Sequence, residues 1–208
     1  MKKFLKHFKT AFIFTVVMTV LCGFIYPLAL TGVSQIFFHD QANGSIVTVD
    51  GKEVGSTIVG QDFTDERLFH CRPSAYNYNT YTKEQKDNEE YAGLASGSNN
   101  YANSNPALKE RLEQDIETFL KENPTVDKED IPSDLITASG SGLDPHISVE
   151  SANVQIDRIC TNTGLSKDKV EQMIKDNTNG KVLGVFGEDT VNVLTLNLAV
   201  AKEINMIK

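Results

Sequence analysis

The stretch AFIFTVVMTVLCGFIYPLALTGVSQIFF, residues 11–38, contains no charged side chain in 28 positions. A membrane-spanning helix needs about 20 consecutive apolar residues, and buried helices of soluble proteins seldom run so long without a charge. The first lysine or arginine after this stretch is Lys52, whereas four lysines precede it: Lys2, Lys3, Lys6 and Lys9. Because basic residues favour the cytoplasmic side of a span, the sequence predicts a short basic cytoplasmic end (1–10), a transmembrane helix with its outer flank (11–38) and an extracytoplasmic domain (39–208).

Two other interpretations of the apolar stretch are less favoured. A cleaved signal peptide has an apolar core of about 7–15 residues followed by small residues at the cleavage site. Here the apolar stretch is longer, and no good small-x-small site follows it. A lipoprotein anchor at Cys22 is disfavoured because Leu21 is too bulky for the usual lipidation site.

Charge and cysteine content limit the partners of the outer region. The 169 residues after His39 hold 16 basic and 28 acidic side chains, a formal charge of −12. Such a surface has no basic face for phosphates, which argues against nucleic acid and suits small cations or solubility. The sequence contains no C-x-x-C pattern, so a structural zinc site is not indicated. Cys71 and Cys160 would both lie outside, where a disulfide is chemically allowed, and the sequence leaves that pairing open.

The outer region mixes strand and helix signals. Alternation around Asp50-Gly51 predicts a hairpin with strands near 45–49 and 52–59. Residues 61–104 read as long ordered loops with a short strand around Leu68, and KVLGVFG (181–187) reads as a further strand. These signals, together with the helices below, predict one α+β domain of mixed strands and helices that follows the single N-terminal transmembrane helix.

Four helices are predicted in this region. Asn105 caps the first, which ends before Pro124 and carries an apolar stripe. A second runs from Ser148 to Gly164 with Ala152, Ile156 and Ile159 inward, and a third starts after Ser166 with Val170, Met173 and Ile174 inward. The segment 191–204 has apolar residues at both helical and alternating spacings, and we expect a helix at its end.

The loop LITASGSGLDPHIS (135–148) permits three interpretations. Ser141, Asp144 and His146 resemble a hydrolase triad, but such groups usually come from separated segments, and the G-x-S-x-G elbow is absent. Alternatively, Gly140 and Gly142 allow positive φ, so that successive N–H groups can point at one anion in front of the following helix. In the third interpretation, which is the commonest outcome, the loop is a turn that caps its own helix.

Two further groups of residues are ambiguous. A metal site would need His70 and His146 together with Asp62, Asp65 or Asp144 as oxygen ligands, but no spacing indicates that they meet, and hydrogen-bonded structural histidines are favoured. Arg72, in FHCRPSAYNY (69–78), suits a phosphate or carboxylate ligand in a forked geometry, or equally the acids of its own domain.

Taken in order, several motifs resemble the C subunits of bacterial Kdp-type potassium-transporting P-type ATPases. They are Gly60-Gln61-Phe63, FHCRPSA (69–75), SNPAL (104–108), DLITASGSGLDPHIS (134–148) and VNVLTLNLAV (191–200). The sequence departs from the family pattern at Cys71, where a glycine is typical, and before SNPAL, where Ser98 and Ala102 replace glycines.

The resemblance implies an accessory subunit of the bacterial cytoplasmic membrane without catalysis of its own. Its partners would be a channel-like potassium-translocating subunit, a P-type ATP-hydrolysing subunit, a small single-span subunit and the lipid bilayer, and the complex would handle potassium. The family is described as a catalytic chaperone that raises the ATP affinity of the hydrolysing subunit. ATP is implied by this resemblance only, because no G-x-x-x-x-G-K-[ST] occurs and the predicted topology puts the glycine-rich loop outside.

We therefore expect the loops 60–78, 96–106 and 134–148 to form the partner-facing surface, with no catalytic or metal-binding residue assigned. The alternatives are a membrane-anchored hydrolase and a small-ligand sensor, both using the loop 138–148. The candidate binding residues are Gln61, His70, Arg72, Ser74, Asn105, Ser139, Gly140, Ser141, Gly142, Asp144 and His146.

Overall fold

The structure is a computed structural model that describes residues 2–88 and 93–207. The chain divides into two compact units, one up to residue 46 and one from residue 47 onward. The helices are α1 (Lys2–Val20), α2 (Tyr26–Phe37), α3 (His39–Ala42), α4 (Lys83–Asp87), α5 (Pro106–Glu122), α6 (Val149–Asn153), α7 (Ile156–Thr163), α8 (Lys167–Asp176) and α9 (Val193–Glu203). The strands are β1 (Ile46–Val49), β2 (Lys52–Ser56), β3 (His146–Ser148), β4 (Thr178–Asn179) and β5 (Thr190–Asn192).

The first unit is dominated by one apolar helix. The helical stretch Lys3–Phe37 is 35 residues long and, by length and composition, suffices to cross a membrane. At 1.5 Å per residue it extends about 50 Å, which exceeds the ~30 Å hydrocarbon core of a bilayer. None of its apolar side chains is buried. The predicted helix is confirmed, although it begins nearer the N-terminus than residue 11.

A widened turn interrupts this helix just before Pro27. Residues Leu21–Ile25 form a π-helical turn, in which the Tyr26 N–H donates to the Leu21 carbonyl five residues earlier. Pro27 follows directly and has no N–H to donate to the carbonyl four residues before it, so the ordinary helical ladder is broken there.

The second unit opens with the predicted hairpin. β1 and β2 are joined by Asp50 and Gly51, whose φ angles of +50° and +75° give the left-handed geometry of a tight two-residue turn. The second strand ends at Ser56, earlier than predicted, and an isolated bridge pairs Ser56 with Val59.

The helices of this unit follow their local signals, with one exception. The Asn105 side chain accepts a hydrogen bond from the Ala107 N–H at 2.9 Å and caps α5 as predicted. The single helix predicted from Ser148 is two helices, because the chain turns at Gln155 between α6 and α7. Gly164 ends α7 in the left-handed conformation, as a C-terminal glycine should.

Two predicted strands are wrong. Leu68 lies in irregular backbone, and residues 181–187 form a tight, solvent-exposed turn with one bridge between Val182 and Phe186. The apolar side chains of this turn point to solvent. The segment 181–187 stays exposed and joins neither sheet, so its apolar residues did not indicate a strand.

The core of the unit forms where a small sheet meets the last four helices. β5 is the central strand and pairs antiparallel with β3 and β4, placing His146 opposite Asn192 and Thr178 opposite Val191. α9 follows directly, with the Asn192 side chain accepting from the Thr195 N–H at 3.2 Å. The predicted inward residues of α6, α7 and α8 are buried in one cluster, whose largest fully buried members are Phe69, Ile147, Ile159, Val170, Val191, Val193, Leu196 and Val200.

Buried side-chain amides take the place of the missing strand beside Leu68. The Asn197 side chain accepts from the Phe69 N–H at 2.7 Å and donates to the Phe69 carbonyl at 2.9 Å. The Gln155 side chain does the same for His70, at 2.8 and 3.3 Å. Since buried backbone groups must be paired, these two amides satisfy a backbone that has no neighbouring strand.

Arg158 extends this polar group beneath the same loop. It is buried, which lowers the pKa of its guanidinium, and it donates to the carbonyls of Glu66 and Leu68 at 2.6 and 2.9 Å. Its remaining donors bond the side chains of Asn123 and Gln155. The irregular segment 66–70 is therefore held by helix side chains rather than by secondary structure of its own.

Replacing Asn197 with alanine should destabilise the second unit by about 2–4 kcal/mol, because the buried Phe69 N–H and carbonyl lose both partners. Urea unfolding of the full chain in detergent, followed by tyrosine fluorescence, measures the loss. The exposed Gln172, whose side chain bonds Asp176 on the surface, is the matched control. Equal stabilities of Asn197→Ala and Gln172→Ala would contradict the role of the buried amide.

Candidate functional site

The glycine-rich loop is where the three predicted loops meet. The successive carbonyls of Ser141, Gly142 and Leu143 each accept a hydrogen bond from a different part of the chain. The donors, in that order, are the Gly97 N–H at 2.7 Å, the Ser74 hydroxyl at 2.6 Å and the Gly60 N–H at 2.8 Å. The loops 60–78, 96–106 and 134–148 therefore form one hydrogen-bonded assembly in the second unit.

Close backbone approach explains two of the glycines. A Cβ on Gly142, whose φ is +66°, would lie 2.5 Å from the Gly97 carbonyl oxygen. A Cβ on Gly60 would lie 2.5 Å from the Asp144 carbonyl oxygen. Gly140 is different: its φ is outside the left-handed region and nothing lies within 4 Å of its Cβ position. Positive φ is thus found at Gly142 but not at Gly140, which is exposed at the tip.

Side chains of the loop itself accept hydrogen bonds from three of its backbone N–H groups, which are then not free to bind an anion. The Ser139 hydroxyl accepts from the Gly142 N–H at 2.8 Å, and the Ser141 hydroxyl accepts from the Leu143 N–H at 3.1 Å. The Asp144 carboxylate accepts from the His146 N–H at 3.0 Å. Of the three interpretations of this loop, the geometry favours the turn that satisfies itself.

A carboxylate of the chain also occupies the start of the following helix. Asp134 accepts from the Ser148 N–H at 2.8 Å and from the hydroxyls of Ser148 and Ser151 at 3.2 and 2.5 Å. The Ser148 hydroxyl in turn caps α6 by accepting from the Ser151 N–H at 3.0 Å. Asp134, which the sequence interpretation did not single out, fills the position that a bound anion would take.

Arg72 pairs with an acid of its own domain. Its Nη1 donates to Asp144 Oδ2 at 3.0 Å, and the Tyr78 hydroxyl donates to the Arg72 carbonyl at 2.7 Å. The neighbouring His146 ring and the Arg72 guanidinium lower the pKa of the Asp144 carboxyl, against the opposing effect of burial. The Nε of Arg72 is buried without an acceptor in the described part of the chain.

Of the groups in the hydrolase interpretation, Asp144 contacts His146, with 3.7 Å between Asp144 Oδ1 and His146 Nδ1, but the Ser141 hydroxyl has other partners. The Ser141 hydroxyl lies 3.3 Å from the Ser139 hydroxyl, while His146 Nε2 lies 3.4 Å from the Asn192 side-chain nitrogen. Within residues 2–88 and 93–207, no hydrogen bond joins Ser141 to His146. A serine nucleophile needs that bond to its base, so the arrangement does not form a triad.

The two histidines line different clefts. His70 faces a cleft of about 470 Å³ and lies, through Nδ1, 3.2 Å from Glu122 Oε2, which lowers the pKa of Glu122. His146 faces a separate cleft of about 380 Å³. Among the residues that the structure describes, no three His, Cys, Asp or Glu side chains are arranged to hold a metal ion.

The remaining candidates have structural contacts. The Gln61 side chain donates to the Val54 carbonyl at 3.0 Å, while its own Oε1 is buried without a donor among the described residues. Asn105 caps α5, as described above. Cys71 and Cys160 are both free thiols, and burial raises the pKa of Cys71 to about 12, which makes it a poor nucleophile.

Sequence reasoning missed the residues that hold this site from behind. Asp134, Gln155, Arg158 and Asn197 all act on backbone groups far away in the chain. One signal was available, since Gln155, Arg158 and Asn197 are polar residues within apolar helical faces. Their positions indicated that these side chains are buried, but the sequence did not show which backbone groups they bind.

The comparisons with known proteins agree with this picture. The family model described as "KdpC: K+-transporting ATPase, c chain" matches residues 8–202. The chain belongs to the KdpC family. This membership confirms the resemblance inferred from the ordered motifs.

Several relatives are similar along nearly their whole length, and each is named "Potassium-transporting ATPase KdpC subunit". The one from Clostridium kluyveri is 59% identical over 206 residues, covering 99% of this chain and 98% of the relative. The one from Clostridioides difficile is 53% identical over 208 residues, covering 98% and 100%. The one from Caldanaerobacter subterraneus subsp. tengcongensis is 47% identical over 195 residues, covering 94% of each.

Exchanging Gly142 for alanine should destabilise the second unit by about 2 kcal/mol or more, because φ is left-handed and the new Cβ meets a carbonyl oxygen. Gly140→Ala, two residues away in open space, should change stability by less than about 0.5 kcal/mol. Urea unfolding of the two full-length variants makes the comparison. Similar losses of stability in both variants would show that close backbone approach is not what requires a glycine at position 142.

The Glu122–His70 pair predicts a defined pH dependence. Because the pKa of Glu122 is lowered in the folded state, its contribution is fully present above the ordinary value of 4.5 and is lost as pH falls through the lower folded value. Glu122→Gln should therefore reduce the free energy of unfolding at pH 6–7, and the difference from the parent should shrink below pH 4.5 and disappear only below the lowered folded pKa of Glu122. Glu117→Gln, at an exposed position on the same helix, is the control and should show no such pH-dependent difference.

Proposed function

We propose that this chain is the non-catalytic accessory subunit of an ATP-driven, high-affinity potassium-uptake complex. The observation that carries the proposal is the match to potassium-transporting ATPase KdpC subunits along 94–99% of the chain. The glycine-rich loop supports it from the chemical side. Its serine, aspartate and histidine are committed to structural contacts and leave no assembled nucleophile and base.

The proposal includes a single-pass topology in the bacterial cytoplasmic membrane. None of the apolar side chains of the helix is buried within the protein. In water this apolar surface would be exposed along its whole length, whereas a bilayer would cover it. Its lysines lie at the N-terminal end, which supports a cytoplasmic N-terminus and an extracytoplasmic second unit.

The proposed partners are the channel-like potassium-translocating subunit, the P-type ATP-hydrolysing subunit and the small single-span subunit, together with the lipid bilayer. The joined loops 60–78, 96–106 and 134–148 are the proposed contact surface. Their mutual hydrogen bonds support this role, because a surface held in one conformation binds without a large ordering cost.

Nucleotide binding by the loop is not part of the proposal, since the residues there do not fit a triphosphate. The cleft beside it is lined by Arg72 and His146 against five carboxylates: Asp134, Asp144, Glu150, Glu188 and Asp189. Three N–H groups of the loop, those of Gly142, Leu143 and His146, already have acceptors. We therefore place ATP on the hydrolysing subunit and assign any effect of this chain on ATP affinity to assembly of the complex.

The proposal is tested by purification of the complex from mildly solubilised membranes through a tag on the hydrolysing subunit. The full-length chain should co-purify, and its removal should raise the KM for ATP of the remaining subunits. Recovery of the hydrolysing subunit without this chain would contradict the proposal.

A double variant separates this function from the hydrolase alternative. Ser141→Ala with His146→Ala should leave the potassium-stimulated ATP hydrolysis of the assembled complex largely intact, because neither group performs chemistry. If a hydrolytic activity of the purified parent chain disappeared in this variant, the enzyme interpretation would replace ours.

A further inference from the structure

The second unit exposes a compact group of large apolar side chains on one turn, residues 182–186, which we call the apolar turn. The exposed fractions are 68% for Val182, 86% for Leu183, 74% for Val185 and 65% for Phe186. Single exposed apolar residues are common on protein surfaces, but four such side chains on one five-residue turn are not. The group lies within the segment 181–187, for which the sequence predicted a strand.

Backbone hydrogen bonds hold the turn in shape. Val182 and Phe186 exchange two of them, at 2.8 and 3.0 Å, and the Gly184 N–H donates to the Lys181 carbonyl at 3.0 Å. The Asp189 carboxylate accepts from the Lys181 N–H at 3.2 Å and closes the base. The apolar side chains contribute little to this scaffold, so the turn presents them without depending on them.

Leu183 is held in an unfavourable backbone conformation. Its φ is +55°, in the left-handed region that costs energy for a residue with a branched apolar side chain. Asparagine adopts this backbone geometry more easily, and its polar side chain would be hydrated at so exposed a position. Strain combined with apolar exposure is typical of a side chain presented for binding.

Charge beside the turn distinguishes between the possible occupants. Lys181 precedes the turn, and Glu188 and Asp189 follow it after Gly187, lining the same cleft as Asp134, Asp144 and Glu150. Loops that enter a bilayer surface are rich in lysine and arginine, because anionic headgroups repel carboxylates. The border of the turn is acidic on balance, so it is complementary to a protein surface with an apolar socket and basic residues at its edge.

We infer that the apolar turn is an anchor that inserts Leu183 and Phe186 into an apolar socket, bordered by lysine or arginine, on another subunit of the pump. Residues 182–186 supply the apolar contact, and Glu188 supplies the charge that orients it. This inference rests on the proposed function and deepens it, because it assigns a part of the assembly interface that lies outside the three joined loops.

Photo-crosslinking locates the occupant. Benzoylphenylalanine at position 183 of the full chain, within the complex purified in lipid nanodiscs, should form a covalent product with another pump subunit. Mass spectrometry should place the crosslink on an apolar residue near lysine or arginine. Crosslinking to lipid, or to a second copy of this chain, would overturn the inference.

Paired variants measure the contribution of the anchor. Leu183→Asn with Phe186→Ser should reduce the amount of chain that co-purifies with the tagged hydrolysing subunit by about tenfold, as expected for loss of a central apolar contact. Glu188→Lys alone should also reduce it. The matched control is Leu94→Asn, since Leu94 is 84% exposed on a different loop.

The outcomes separate this inference from the proposed function. If the parent chain co-purifies and the Leu183→Asn, Phe186→Ser variant co-purifies equally well, the anchor is wrong while the proposed function stands. If the parent chain itself fails to co-purify, both are wrong. Retention of the control together with loss of the double variant supports both.

Discussion

The second unit depends on a pairing between two buried side-chain amides and the backbone of Phe69 and His70. Asn197 and Gln155 each supply one donor and one acceptor to a single residue, as a neighbouring strand would. Phe69 is thereby fixed in the apolar cluster with both of its backbone groups satisfied. A long irregular segment can enter a hydrophobic core only if such partners are provided, because an unpaired buried amide costs more than the apolar contact returns.

This pairing determines the position of the candidate site. Arg72 and Ser74 follow His70 within four residues, and they reach Asp144 and the Gly142 carbonyl. Those contacts are possible only because the preceding backbone is anchored to α7 and α9. The glycine-rich loop therefore takes its shape from helices remote in sequence, and the absence of a side chain at Gly60 and Gly142 lets the backbones approach closely enough to bond.

Local signals predicted much of the fold, whereas nonlocal partners were out of reach. The Asp50-Gly51 turn, the Asn105 cap and the inward residues of α8 depend on neighbours within a few positions, and each was readable. The break between α6 and α7 could not be read from the sequence. Gln155 lies at this break, and its side chain bonds to His70, 85 residues away. The ordered motifs identified the family without revealing that Asp134 fills the start of α6.

Satisfaction of polar groups also separates a binding surface from a catalytic one. A catalytic loop keeps a nucleophile, a base and donors for a developing charge free until substrate arrives. Here the hydroxyls of Ser139 and Ser141 and the carboxylate of Asp144 are consumed within the loop, so little reactive capacity remains. The same bonds make the loop stiff, and stiffness benefits recognition because little conformational entropy is lost on contact. A sequence that resembles a triad in composition thus folds into the stiff loop surface that we propose as a partner contact.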